Sequence, residues 1–312
     1  MAQQQMDTKF DIVALGEPMV EFNQTRAGES AYLQGFGGDT SNMAIAAARQ
    51  GARSAYVTRV GDDTFGKMLL DLWRAEGVDT QAVEVDATSA TGVYFVTHGS
   101  GGHVFSYLRA GSAASRMQVG QLPMELLRSA RYVQASGISL AISPNAADCV
   151  LAAFDAARSA GVKVALDSNL RLKLWPLAHA RAVIGAAAAL ADYFFPSVED
   201  AQALSGLMDH NAIIDWAHRL GARTVLLKLG ADGVRVSDGR RRETIPGFKV
   251  AAVDATGAGD CFCGAFLARL VAGDTLWDAA RYANAAAALS TTGFGAVAPV
   301  PRPEQVRALM AQ

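Results

Sequence analysis

A chain of 312 residues, 51% hydrophobic and 19% charged, has the composition of a globular protein with a large core. A net charge of -2 and a pI near 6.2 leave no basic excess, which argues against nucleic-acid or membrane-surface partners. Residues 1–9 are polar with no apolar leader, no apolar run is long enough to span a bilayer, and three cysteines (Cys149, Cys261, Cys263) are too few for a disulfide framework. Reduced, buried thiols in a cytoplasmic protein are expected. Residues 10–16 read as a buried first strand ended by Gly16. Pro18 argues against a central strand continuing through 17–22, and 23–30 are polar and loop-like. Gly37 and Gly38 then precede a helix over 41–50, closed by Gly51. Glycines there suit either a plain turn or a backbone that approaches a ligand closely.

A strand over 54–61, a helix over 65–76 and a short strand over 83–85 predict βαβ units and a largely parallel sheet. The alternation then breaks. Two β-rich runs, 91–97 and 104–109, flank a glycine-rich turn at 98–103, a hairpin that belongs outside the main sheet. With residues near 17–36 it forms a small sheet that covers a site. Tyr94 and Tyr107 either pack under that sheet or face a ligand; Arg109 is either an edge charge or a ligand contact.

Helix 123–129, strand 131–135, a turn at 136–139 and helix 145–160 resume the pattern. A buried strand over 162–167 ends in Asp167, followed by Ser168, Asn169, Leu170 and Arg171. Polar residues at the carboxyl end of a parallel strand lie where such sheets bind ligands. Helix 177–190 and strand 192–195 follow. Ser197 to Asp200 opens the next helix as an N-cap with an acidic first turn. Helix 210–220 leads to strand 224–228, which ends at Lys228, a turn over 229–233, and a hairpin of 233–237 with 242–245.

Residues 249–253 are apolar and partly β-branched, which predicts a strand; from Phe262 onward apolar residues recur at helical spacing. Between them lies Asp254-Ala255-Thr256-Gly257-Ala258-Gly259-Asp260. Strand, glycine-rich turn and helix make an anion site, with Asp260 where the helix starts. The plainer reading is a turn with an Asp cap. An alanine-rich helix over 276–291 carries Asn284, and a proline-rich tail precedes a last short helix. No internal repeat is present.

These segments together resemble the ribokinase-like carbohydrate kinases of the PfkB family over residues 10–305. One signature covers Gly37 and Gly38 through Asn42 and runs on to Gly61, Asp62, Asp63 and Gly66. The other is 254–260 with Phe262, Gly264 and Phe266. The resemblance implies one α/β domain: a central, mostly parallel sheet flanked by helices, with a small β-sheet lid from about 17–36 and 91–110. Within the family, residues 35–40, 107–113, 136–141 and 169–175 are most similar to the branch that acts on 2-keto-3-deoxygluconate.

That resemblance implies ATP-dependent phosphorylation of a sugar acid to its 6-phosphate, in sugar-acid catabolism. Asp260 would be the base, and Gly257, Ala258 and Gly259 would hold the transferring phosphoryl group. Gly38, Tyr94, Tyr107, Arg109 and Arg171 would contact the sugar acid. Asn169, Lys228, Gly230, Asp232, Gly233 and Asn284 would follow the nucleotide. Two arginines also suit a carboxylate substrate on chemical grounds, since a guanidinium donates two parallel hydrogen bonds. No direct metal ligand is implied. Where many relatives carry Asn-x-x-Glu this chain has Ser197 and Asp200, so Mg2+ is expected with the ATP, near Asp200. A fructokinase or ribokinase of the same fold is the nearest alternative. A non-catalytic sugar-acid sensor is another, against which the intact 257–260 motif argues. An exposed lid edge could pair two copies into a homo-oligomer.

Overall fold

Ile12, Val13, Ala14 and Leu15 are all buried, as a strand covered on both faces must be. Their side chains alternate between two cores, Ile12 and Ala14 on one side and Val13 and Leu15 on the other. The computed structural model describes residues 9–99 and 102–312. The polar start at 1–8, and Ser100 and Gly101 of the expected hairpin turn, lie outside the described residues.

The first third of the chain holds β1 (Ile12–Leu15), β2 (Met19–Gln24), β3 (Tyr32–Gly37), α1 (Asp39–Arg49), β4 (Ser54–Gly61), α2 (Thr64–Ala75), β5 (Val78–Asp79), β6 (Val83–Asp86), β7 (Val93–Gly99) and β8 (Gly102–Leu108). The middle holds α3 (Met124–Ser129), β9 (Tyr132–Ser136), α4 (Gly137–Ala141), α5 (Pro144–Ser159), β10 (Lys163–Asp167), α6 (Leu177–Leu190), β11 (Tyr193–Phe195), α7 (Val198–Ser205) and α8 (His210–Leu220). The last part holds β12 (Thr224–Lys228), β13 (Gly233–Ser237), β14 (Arg242–Pro246), α9 (Ala258–Val271), α10 (Leu276–Ser290) and α11 (Pro303–Met310).

The main sheet runs β14-β13-β12-β11-β10-β9-β1-β4-β5, with β6 also paired to β4. It is parallel except where the β13–β14 hairpin adds to β12. Helices α1, α9 and α10 pack on one face and α5, α6 and α8 on the other. The carboxyl ends of β1, β10 and β12 therefore open on one side, where the first turns of α1 and α9 also lie. The second sheet is β3-β2-β7-β8; its β2–β7 pair is parallel and the rest antiparallel. This is the expected lid. Its strand β2 (Met19–Gln24) follows directly on Pro18, where no central strand of the main sheet is expected. Every residue of its outer strand β8 is exposed. Among the described residues no helix is long and apolar enough to cross a membrane.

Two local expectations are corrected. Residues 136–139 are not an open turn: Ser136 caps α4, its hydroxyl accepting from Ser139 N–H at 3.2 Å. Residues 249–253 do not form a strand. The sheet already ends at β14, and the N–H groups of Val253 and Asp254 donate instead to the Thr291 carbonyl at 2.7 and 3.0 Å. Local β propensity without an open edge to pair with does not make a strand.

Candidate active site

A cleft of about 800 Å³ lies between the lid and the carboxyl ends of the main-sheet strands. One wall is the turn entering α9. Asp254 builds that turn: its Oδ1 accepts from Thr256 N–H and hydroxyl at 2.9 and 2.6 Å, and its Oδ2 accepts from Gly295 N–H at 2.9 Å. Gly257 follows with φ 75, and a side chain there would meet Ala296 at 2.8 Å. The position needs both the left-handed backbone and the missing Cβ. No side chain caps α9, so its first turn presents backbone N–H groups and the positive end of the helix dipole to the cleft. Ala258 N–H is partly engaged, donating to the Ala255 carbonyl at 3.2 Å.

Asp260 sits in that first turn. Its Oδ2 accepts from Asn42 Nδ2 of α1 at 2.8 Å. The two helices meet closely because Gly264 has no side chain; a Cβ would lie 2.4 Å from the Met43 carbonyl oxygen. Loss of water around Asp260 pushes its carboxyl well above the usual range, and the nearby Asp39 carboxylate adds to the effect. A raised pKa gives a carboxylate more affinity for a proton.

The floor comes from the end of β10. Asp167 is buried; its Oδ2 accepts from Lys228 Nζ at 2.6 Å and from Cys263 Sγ at 3.4 Å. Burial disfavours the Lys228 charge, but the Asp167 carboxylate outweighs that and raises its pKa, so the ammonium stays charged facing Gly259. Replacing Lys228 with Met is expected to lower stability by about 3 kcal/mol, because Asp167 is left buried without its cation; denaturant unfolding measures this directly.

Asn169 adopts φ 25, the one left-handed non-glycine backbone among the described residues, and its Nδ2 donates to Asp39 Oδ2 at 2.8 Å. Asp200 Oδ2 accepts from Ser168 hydroxyl at 2.7 Å and Leu170 N–H at 3.1 Å, so this carboxylate fastens the same loop. Burial raises its pKa. Ser197 caps α7 through Asp200 N–H at 3.1 Å. Among the described residues no three His, Cys, Asp or Glu side chains converge on a metal position.

The lid contributes Tyr94 and Tyr107, opposite each other across β7 and β8 with ring centroids 5.7 Å apart. The Tyr94 hydroxyl donates to Glu21. Arg109 does not line the cleft. It forms an ion pair with the buried Glu17, whose carboxylate also accepts from the Ser112 hydroxyl. Burial raises the Glu17 pKa, with Arg109 opposing it. Arg171 does line the cleft; among the described residues its guanidinium makes one hydrogen bond, to the Leu170 carbonyl at 2.9 Å, and has no carboxylate within ion-pair distance.

The cleft thus brings together Gly38, Tyr94, Tyr107, Asn169, Arg171, Asp200, Lys228, Gly230, Gly257, Ala258, Gly259 and Asp260. Asp232 and Gly233 lie behind Gly230 at the turn into β13 and are not part of its lining. Asn284 is buried in α10, its amide donating to the carbonyls of Ile245 and Pro246 at 3.0 and 3.1 Å, which ties α10 to β14 rather than to the cleft. Sequence reasoning gave no role to Glu17, Asn42, Asp39 or Asp167. The rule that singled out the end of the strand at 162–167 would also have found Glu17, which lies just beyond the carboxyl end of β1.

The site's chemistry is thus an uncapped helix N-terminus and a half-buried lysine for an anion, beside a carboxylate with proton affinity. Comparison with known proteins places the chain in a family. Residues 9–303 match the pfkB family carbohydrate kinases. The chain is 34% identical to a 2-dehydro-3-deoxygluconokinase of Thermoproteus tenax, covering 97% of this chain and 95% of that protein. It is 33% identical to fructokinase-2 of Solanum habrochaites, covering 96% and 95%. A crystal structure of a fructokinase with bound ATP from Xylella fastidiosa superimposes with a TM-score of 0.89 at 26% identity, covering 96% of this chain and 98% of that one.

Proposed function

The chain belongs to the pfkB family of carbohydrate kinases, and from that premise we propose that its sugar is 2-keto-3-deoxygluconate, phosphorylated at the 6-hydroxyl with ATP. The observation that carries this reading is Arg171. It is a guanidinium in the cleft with no ion-pair partner among the described residues. A sugar carboxylate gives it one, through two parallel charged hydrogen bonds, and a neutral ketose does not. Arg109, behind the cleft wall and already paired with Glu17, leaves that carboxylate to Arg171. Gly38, Tyr94 and Tyr107 enclose the sugar from the α1 turn and the lid.

The nucleotide phosphates suit the uncapped start of α9 and Lys228, an arrangement built for negative charge. Asn169 and the Gly230 to Gly233 turn extend that site, and Asn284 supports it through β14. Asp200, one of whose carboxylate oxygens accepts both internal donors, would leave its other oxygen to help hold the Mg2+ that comes with the ATP. Bound ATP with its metal supplies the transferable phosphoryl group and neutralises its charge. The chain's own groups do the rest. Asp260 accepts the proton of the attacking 6-hydroxyl late in the transfer. The N–H groups of Gly257, Ala258 and Gly259 donate to the phosphoryl oxygens as charge redistributes. The lid excludes water, which suppresses hydrolysis.

The comparable similarity to fructokinases favours fructose as the second reading. A coupled ADP-release assay over 2-keto-3-deoxygluconate, its galactonate-derived isomer, fructose and ribose separates the two. Turnover is expected with the sugar acids; ADP released only with fructose or ribose would sink the sugar-acid reading, and no ADP with any sugar would leave a binding protein. Three unpaired, buried cysteines suit the cytoplasm, where sugar-acid catabolism runs. The exposed strand β8 suits pairing of two copies.

A further inference from the structure

Asp39 is a buried carboxylate at the head of α1, inside the cleft. Its Oδ1 accepts from Thr40 N–H at 2.9 Å and its Oδ2 from Asn169 Nδ2 at 2.8 Å. Asp260, facing it from α9, has one donor, Asn42 Nδ2, and Asn42 follows Asp39 on α1 by about one turn. Helix α1 therefore brings both a like charge and a hydrogen bond to the acid at the start of α9. Among the described residues, the other charged and titratable groups around the two are Glu17 after β1, Asp167 and Arg171 at and after the end of β10, Lys228 from β12, Cys261 and Cys263 beside Asp260 on α9, Tyr94 from the lid, and Tyr56 beneath α1.

Two neighbouring buried carboxylates resist ionising together, and they titrate as a unit. Burial raises both. The member with more donors keeps its charge more easily, which is Asp39. Asp260, with one donor, is left with the greater affinity for a proton. Asp39 also has a mechanical part. The left-handed backbone at Asn169 is costly for a residue with a side chain, and a strained backbone persists only where its surroundings fix it. The bond to Asp39 holds its side chain, alongside Asp167 Oδ1, which accepts from Asn169 N–H at 3.2 Å, and Asp200, which holds Ser168 and Leu170; Arg171 lies two residues further on.

We propose that Asp39 is a positioning residue of the phosphoryl-transfer site: its charge keeps Asp260 a competent proton acceptor, and its bond to Asn169 holds the loop that carries Arg171. This rests on Asp260 being the base, and not on which sugar is phosphorylated.

The test is the pH profile of kcat/KM, measured with whichever sugar the substrate comparison selects, for the wild type, D39N, N169A and D260N. The acid limb follows deprotonation of Asp260. Removing the like charge lowers the pKa of Asp260, so in D39N the limb moves to lower pH, by about one unit. D39S replaces D39N should the latter fail to fold. N169A keeps both carboxylates but takes one donor from Asp39, so its limb moves the same way by less than in D39N, while the sugar KM rises about tenfold. A limb that D260N abolishes but D39N leaves in place overturns the charge role of Asp39. A limb that survives D260N overturns the base assignment itself. An unchanged sugar KM in N169A overturns the anchoring role.

Discussion

Asp260→Asn is expected to lower kcat roughly a thousandfold while both substrates still bind. The substitution keeps the size of the side chain and an oxygen for the Asn42 Nδ2 bond seen at 2.8 Å. What it removes is the capacity to take the proton of the attacking hydroxyl. Removing the charge also relieves crowding with Asp39 and Asp167, the like charges that help hold the Asp260 pKa up, so no loss of stability should accompany the loss of rate. The measurement is ADP release at saturating substrates, with calorimetric binding of sugar and nucleotide as the control. Turnover near that of the wild type would refute the base assignment. Loss of binding together with turnover would instead assign Asp260 to recognition.

Arg171→Gln is expected to raise the KM for the sugar acid by about tenfold to a hundredfold, with a smaller change in kcat. The residue lies in the cleft without an ion-pair partner among the described residues. Its charge is therefore available to a substrate, unlike that of Arg109, which Glu17 already holds. The same variant assayed with fructose should show an unchanged KM, because fructose has no carboxylate to lose contact with. Equal effects on both sugars would move Arg171 from substrate choice to the nucleotide phosphates. The nucleotide KM, measured in the same series, distinguishes these outcomes.

How much of this was legible in the chain differs from element to element. Period and punctuation place the main-sheet strands and helices within a few residues, because strands such as Ile12–Leu15 are buried on both faces and read as unbroken apolar runs. The hairpin at 91–109 is legible as an interruption of the α/β alternation, and the structure makes it half of the lid. The expected strand at 249–253 is not there. Its residues have the right propensity, but pairing depends on a free sheet edge, which no local pattern reports.

The site was legible where a short motif carries its own geometry. Gly257 and Asp260 combine a left-handed turn, an uncapped helix end and an acid within four positions. It was illegible where partners are far apart in sequence. Asn42 and Asp260 are 218 positions apart, and Asn169 and Asp39 are 130 apart. The pairing of Arg109 with Glu17, across 92 positions, is why an arginine that looks free in the sequence is engaged in the fold.

The central claim is that this pfkB-family kinase chooses a sugar acid, and it reduces to one ratio. kcat/KM for 2-keto-3-deoxygluconate is divided by kcat/KM for fructose, both measured by ADP release with the same enzyme preparation and saturating ATP. With Arg171 placed to recognise a carboxylate, the ratio should be at least about a hundred, the discrimination expected when a substrate lacks the group that a charged site is built to bind. A ratio below one would contradict the claim and make the chain a fructokinase of the same fold.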